Sequence, residues 1–179
     1  MARGRHRGVF ARMERIAHWI SPIGGMTMAA DETGLTGLWF DGQKNFALDL
    51  SPDAAEDPGF PVFRQTGEWL TLYFGGRDPG SVPPLHLKGT PFRRHVWSVL
   101  LSIPYGETRT YGEVAEAAAS AGAVRPVSPR AVGGAVGHNP ISLIVPCHRV
   151  IGTSGSLTGY AGGLDRKARL LALEGVRLL

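Results

Sequence analysis

The chain has 179 residues, a formal net charge of +4 and 43% hydrophobic residues. This length and composition predict one domain, or two small ones, with a core large enough to exclude wholesale disorder. No run approaches the roughly 20 apolar residues that span a bilayer, and one cysteine excludes an internal disulfide and any zinc site built from cysteine pairs. No cleavable signal-peptide pattern is visible, so we expect a cytoplasmic protein.

Charge is unevenly distributed along the sequence. Residues 1–15 carry five arginines and one acidic side chain, residues 16–88 carry four basic and nine acidic ones, and residues 89–179 carry ten basic and five acidic ones. The basic second half favours a polyanionic partner. We interpret residues 1–16 as a basic flexible arm, for which a disordered tail is preferred over an arm that grips DNA.

Residues 17–88 are predicted to form an α/β scaffold domain. Runs with β character at residues 18–20, 26–29 and 35–40 are separated by turn residues and predict a small antiparallel meander. The segment 51–61 is rich in Asp and Pro and predicts a loop, whereas apolar residues from Phe63 to Phe74 predict one helix. An extended segment follows Pro83 and Pro84. No constellation of chemically active side chains stands out in this half.

Residues 89–179 are predicted to form a mostly helical domain. Thr90 and Pro91 are typical of a helix start, and Thr110 with Glu113 forms a capping box for a second helix over residues 111–120. A third short helix, residues 130–136, consists of arginine and small residues. Two short helices joined by a turn indicate a helix-turn-helix unit, which favours DNA binding.

Cys147 is the candidate reactive group. It follows Pro146 and the apolar run 141–145, which predicts a buried strand. With His148 and Arg149 beside it, we expect the thiolate to be favoured over the thiol, and the thiolate is the nucleophilic form. The alternative is a cysteine that only fills space in the core.

Three motifs together resemble a known family. The sequence Pro-Cys-His-Arg-Val at residues 146–150, Asn139-Pro140, and the block 159–164 closely resemble the O6-alkylguanine-DNA alkyltransferases, or methylated-DNA–protein-cysteine methyltransferases. The match covers the chain from Thr90 to Gly175, and residues from about 17 onward fit more loosely. The resemblance implies a ribonuclease-H-like N-terminal domain and a winged-helix-like catalytic domain. The implied activity is DNA repair by one irreversible transfer of an alkyl group to the protein.

The resemblance also implies catalytic roles. Cys147 would attack the alkyl carbon on O6 of guanine, His148 would take the thiol proton through a water, and Glu174 would orient the imidazole. Tyr111 would supply a proton or hydrogen bond to the departing purine. Asn139 would link the recognition elements to the active-site turn. Taken singly, these residues could instead be a turn histidine, a helix-end carboxylate, a core aromatic and a helix C-cap.

The target atom lies inside the duplex, so the implied mechanism requires the nucleotide to flip out. The family pattern places the helix with Arg130, Ala131, Gly133, Gly134 and Ala135 in the minor groove, where Arg130 fills the vacated stack. A closely packed core helix is the alternative for these small residues. The base pocket is assigned to Val145, Ile151, Tyr160 and Ala161.

The implied partner is double-stranded DNA containing O6-alkylguanine, bound by a monomer without cofactor or metal. Cooperative assembly on DNA and activity on O4-alkylthymine stay open. The chain departs from the family pattern at two places. The arm lies outside the pattern, and relatives often carry a basic residue at the position of His138. Two rival functions are a lesion-binding sensor that transfers nothing and, as the weaker rival, a cysteine hydrolase.

Overall fold

A computed structural model describes residues 13–122 and 126–177. The N-terminal half contains a four-stranded sheet in the order β3-β2-β1-β4. Its strands are β1 (Arg15–Ser21), β2 (Gly24–Asp31), β3 (Gly34–Phe40) and the short β4 (Ala55–Glu56). The first three are antiparallel, as the predicted meander requires, and helix α1 (Pro61–Phe74) contacts all three.

One boundary and one loop in this half were predicted wrongly. The sheet begins at Arg15, so Arg15 and Ile16 belong to β1 and not to a flexible arm. The preceding Glu14 is buried, and its carboxylate accepts hydrogen bonds from Thr36, Lys88 and the Ser51 amide, which fixes this end of the chain. The rest of the predicted arm lies outside the described residues. Strand β4 pairs in parallel with β1 inside the segment predicted to be only loop.

The C-terminal half contains the three predicted helices and a fourth, α5 (Leu164–Leu173), that was not predicted. The predicted ones are α2 (Pro91–Leu101), α3 (Tyr111–Ser120) and α4 (Pro129–Gly137), together with the two-residue strands β5 (Arg109–Thr110) and β6 (Val150–Ile151). The side chain of Thr90 caps α2, and Thr110 with Glu113 forms the capping box of α3. Helices α2, α3 and α4 pack against one another, so α3 and α4 form the helix-turn-helix unit.

The segment 141–145 is buried as expected, but it is not a strand. Ile141 forms a single bridge to Leu38 of β3, and the chain then turns at Leu143, which has a left-handed φ of 69°. The Val145 amide donates back to the Ile141 carbonyl at 3.1 Å. Asn139 satisfies carbonyls here that a neighbouring strand would otherwise bind. The bridge between Ile141 and Leu38 places the turn before Cys147 directly against the sheet.

A continuous hydrophobic core joins the two halves, with Phe40 and Tyr73 on one side and Trp97 and Leu170 on the other. Across residues 13–122 and 126–177, no helix is both long and apolar enough to pass through a membrane.

Candidate active site

Cys147 lies at the start of a 3₁₀ turn (Cys147–Arg149) that follows Pro146, and it is 4% exposed. The Asn139 Nδ2 donates to Cys147 Sγ at 3.1 Å and to the Val145 carbonyl at 2.8 Å. Asn139 therefore ties the cysteine to the chain that leaves α4. It is not a helix C-cap, because α4 ends at Gly137 with His138 in that position.

The electrostatics of the thiol differ from the sequence-based expectation. Burial raises the pKa of Cys147, and this outweighs the lowering by the Asn139 hydrogen bond and the Lys167 charge. Arg149 does not act on the sulfur as we expected, since its guanidinium binds Glu174. The prediction that adjacent His148 and Arg149 favour the thiolate is thus wrong, because burial favours the thiol.

His148 and Glu174 form a buried pair, with His148 Nε2 at 2.5 Å from Glu174 Oε1. Arg149 Nε donates to Glu174 Oε2 at 2.8 Å, and the Gly106 amide donates to the same oxygen at 3.0 Å. Burial opposes ionisation of Glu174, but these partners outweigh it and lower the pKa of Glu174 to about 2. The carboxylate is therefore an anion throughout the physiological range.

This anion determines the tautomer of His148. Because Glu174 is ionised, Nε2 of His148 carries the hydrogen that faces it, and Nδ1 holds the free lone pair. Burial lowers the pKa of His148 despite Glu174, so the ring is neutral at neutral pH. The buried Nδ1 has no hydrogen-bond partner among the described residues. The ring is thus prepared to accept a proton at Nδ1.

A cavity of about 470 Å³ lies beside these groups, since the ring of its lining residue Tyr160 has its centroid 6.5 Å from that of His148. Tyr111, Tyr160 and Ala161 line it, together with Gly133 and Gly134 of α4. The Tyr111 hydroxyl donates to the carbonyl oxygens of residues 158 and 159, and burial, with a smaller contribution from Cys147, raises the pKa of Tyr111. Burial, with a smaller contribution from Cys147, likewise raises the pKa of Tyr160. Both phenols therefore remain protonated beside the thiol.

Val145 and Ile151, which we predicted to form the base pocket, are not among the described residues that line this cavity. Val145 is fully buried behind Cys147, where its carbonyl accepts from Asn139. Ile151 is half-buried in β6 and pairs with Thr110. Cys147 and His148 are likewise not among the described lining residues, so the assignment of Val145 and Ile151 to the base pocket stays a prediction.

Helix α4 has two distinct faces. Arg130, Ala131 and Gly134 are exposed, and Gly133 is half-buried in the cavity wall. Ala135 is 2% exposed, and its carbonyl accepts from Trp97 Nε1 at 2.8 Å. The Ala135 side chain therefore cannot contact DNA as predicted. It packs in the core, which was the alternative interpretation of this helix.

Comparison with known protein families accounts for both halves. Residues 17–84 match the ribonuclease-like domain of 6-O-methylguanine DNA methyltransferase, and residues 91–176 match the DNA-binding domain of the same protein. The chain belongs to the 6-O-methylguanine DNA methyltransferase family. It has the two-part architecture of that family, a small sheet domain followed by a helical DNA-binding domain.

Relatives of this methyltransferase family resemble the chain over nearly its whole length. The methylated-DNA–protein-cysteine methyltransferase of Mycobacterium tuberculosis is 46% identical over 157 residues, which are 86% of this chain and 88% of that protein. The protein of the same name from Methanosarcina acetivorans is 47% identical and covers 87% and 94%. The crystal structure of Mycobacterium tuberculosis OGT in complex with DNA has a TM-score of 0.78, 45% identity and coverage of 89% and 92%.

Sequence reasoning missed three residues of this methyltransferase site. Tyr73 from α1 is fully buried against Glu174, and Lys44 from the loop after β3 lines the cavity. Lys167 is fully buried, donates to the Val150 and Thr158 carbonyls, and has its pKa lowered to about 8 by burial. Only Lys167 had a detectable signal, because its spacing to Leu170 and Leu171 places it on the buried face of α5.

Proposed function

We propose that this protein repairs DNA by transferring the alkyl group of O6-alkylguanine to its own Cys147, once per molecule. The observation that carries the proposal is a buried cysteine beside a histidine–glutamate pair, close behind the tyrosines of an open cavity. The relatives named as methylated-DNA–protein-cysteine methyltransferases support the same reaction.

The proposed chemistry is one displacement at the alkyl carbon. The thiol proton passes to His148 Nδ1, through a water in the family pattern, and Glu174 stabilises the imidazolium that results. The sulfur then forms a bond to the alkyl carbon as the bond from that carbon to O6 breaks, and its electron pair stays on the purine. Tyr111 donates a proton or hydrogen bond to the purine. Overall, the thiol loses one proton and guanine gains one, so the reaction is balanced without a cofactor.

The proposed DNA contact is α4 in the minor groove. The exposed Arg130, Ala131 and Gly134 form a low surface with one cation, which suits close approach to the duplex. Arg130 would fill the space left by the flipped nucleotide. We further propose that the protein acts as a monomer, in a reducing compartment where a lone thiol stays free.

Intact-mass and peptide mass spectrometry after mixing with a duplex that carries one O6-methylguanine tests the proposal. We expect one methyl group on the Cys147 peptide, saturating at one per molecule, with no gain on undamaged duplex or in Cys147→Ala. Tight lesion binding without a mass gain would identify a sensor, and repaired DNA with unmodified protein would identify a hydrolase. The Cys147→Ala protein should still bind DNA, and loss of its affinity would contradict the division of roles. A duplex with O4-methylthymine in the same assay measures the breadth of the pocket.

A further inference from the structure

The loop that follows β3 reaches across to the C-terminal half. We propose that this loop, residues 41–48, is a second DNA contact, in which Lys44 binds a phosphate of the duplex beside the cavity. The proposal rests on the proposed function, because it takes the DNA to lie across the cavity and α4. It assigns an active part in binding to the N-terminal half, whose sequence contains no evident site.

Hydrogen bonds hold the loop on both walls of the cavity. The Lys44 amide donates to the Ala161 carbonyl at 3.1 Å, and Asn45 Nδ2 donates to the Gly137 carbonyl at the end of α4 at 2.9 Å. At the base of the loop, Gln43 is buried, and its Oε1 accepts from the Phe40 amide at 2.9 Å. The loop is therefore hydrogen-bonded both to the end of α4 and to the cavity wall at Ala161.

The backbone of the loop takes an uncommon conformation at two positions. Asn45 has φ 58° and Ala47 has φ 51°, both in the left-handed region that residues other than glycine seldom occupy. Asparagine tolerates this conformation better than most residues, and the bond from its side chain to Gly137 gives a reason for it here. The contacts to the C-terminal half thus determine where Lys44 is presented.

Lys44 is the lysine that is available to a ligand in the described structure. Lys88 pairs with Glu14 and Asp31, and Lys167 is buried, whereas Lys44 is exposed, lines the cavity and forms no ion pair with a described residue. Residues 16–88 carry nine acidic and four basic side chains, so this half as a whole repels DNA. The cationic side chain of Lys44, at the edge of the N-terminal half beside α4, offsets that repulsion where the duplex would pass.

The salt dependence of DNA affinity tests the contact. We would titrate wild type, Lys44→Met and Lys44→Arg with undamaged and O6-methylguanine duplexes between 50 and 200 mM salt. Loss of one phosphate contact lowers the slope of log affinity against log salt by about 0.9, so wild-type affinity should fall about 3.5-fold further than that of Lys44→Met over this range. Arg64→Met is the matched control, because Arg64 is exposed on a different face, beside His18 and Pro58. An unchanged slope in Lys44→Met, or an equal loss in Arg64→Met, would overturn the proposal.

Asn45 variants test whether the loop must be held in place. Asn45→Gly keeps the backbone free to adopt a positive φ but removes the bond to Gly137, so affinity should fall while the melting temperature shows that the protein is folded. Affinity equal to wild type in folded Asn45→Gly would show that the clamp does not position Lys44, and would refute that part. The dependence of affinity on salt can be measured with undamaged duplex, where no alkyl transfer takes place. Failure of the wild type to methylate Cys147 would therefore refute the proposed function and leave the test of the loop intact.

Discussion

The Tyr73 hydroxyl donates a hydrogen bond to Glu174 Oε1 over 2.7 Å, which joins the sheet half to the proposed catalytic pair across 101 positions of sequence. The Tyr73 hydroxyl oxygen also lies 3.2 Å from His148 Nε2. Burial raises the pKa of Tyr73, so the phenol stays a donor at every pH of interest. Hydrogen bonds from both the N-terminal and the C-terminal half therefore position Glu174.

Removing this hydroxyl should weaken both stability and alkyl transfer. For Tyr73→Phe we expect the free energy of unfolding to fall by about 1–2 kcal/mol, as for a hydrogen bond to a charged group. We expect transfer to slow about five-fold, which corresponds to about 1 kcal/mol in the barrier. A carboxylate with one donor fewer has a higher pKa, so the decrease of the transfer rate on acidification should begin at a higher pH. Tyr105→Phe is the control, because its hydroxyl makes only a 3.4 Å contact with the Leu173 carbonyl. Equal behaviour of the two variants would contradict a positioning role for Tyr73.

Neutralising Glu174 should destabilise the protein strongly. Glu174→Gln leaves the buried guanidinium of Arg149 without its counter-ion, and breaking a buried pair in this way costs about 3–5 kcal/mol. Urea unfolding of Glu174→Gln and of Glu116→Gln, whose side chain is exposed, measures the difference. A loss below 1 kcal/mol would mean that Arg149 finds another partner.

The stabilisation by Glu174 should depend on pH in a defined direction. Its pKa is about 2 in the folded protein, against an ordinary value of 4.5, so the unfolded chain binds the proton first as pH falls. The stability gap between wild type and Glu174→Gln should therefore be constant above about pH 4.5 and shrink as pH falls toward 2. We would follow it by urea titrations at several pH values, and a gap that widened on acidification would contradict the assigned pKa.

The free protein should react slowly with small thiol reagents. Burial raises the pKa of Cys147 above its ordinary value of 9.0, so the rate of alkylation by iodoacetamide should keep rising through pH 9. Asn139→Ala should react more slowly at a given pH, because it removes the hydrogen bond that lowers this pKa. Protein unfolded in urea gives the reference rate. A plateau already below pH 8 would show that the thiolate is favoured in the free protein.

The exposed face of α4 can be tested without disturbing the core. A Cβ added at Gly134 meets no heavy atom within 4 Å, so Gly134→Ala should fold and gain about 1 kcal/mol from helix propensity. Gly134→Phe should also fold but lose at least ten-fold in DNA affinity, because the ring stands between the helix and the duplex. Thermal unfolding and fluorescence anisotropy separate the two effects. Unchanged affinity in Gly134→Phe would remove α4 from the interface.

Features that depend on neighbours in sequence were predictable. The cap of α2, the capping box of α3 and the Pro-Cys-His-Arg turn each depend on a few consecutive residues, and the structure places them as expected. Features that depend on long-range contact were not. The strand predicted at 141–145 failed because the chain turns at Leu143 after a single bridge to Leu38 of β3, and Asn139 binds the carbonyls of Ile141 and Val145.

The same distinction applies to the site. The identities of Cys147, His148 and Glu174 could be assigned by resemblance, but the protonation of the thiol could not, because burial decides it. Tyr73 and Lys44 lie 74 and 103 positions before Cys147 in sequence, and no local pattern connects them with it. Ala135 and Gly134 are both small residues of α4, and only the packing of Trp97 shows which one faces inward.

The bridge between Leu38 and Ile141 bears on how such proteins could be recombined. A crossover near residue 88 would keep every residue of each half, yet it would join a β3 from one parent to a cysteine turn from another. Because the Ser142 amide and the Leu38 carbonyl meet at 2.8 Å, the height of the turn above the sheet follows from the strand it rests on. Chimeras made at this crossover would thus inherit the nucleophile from one parent and its placement from the other.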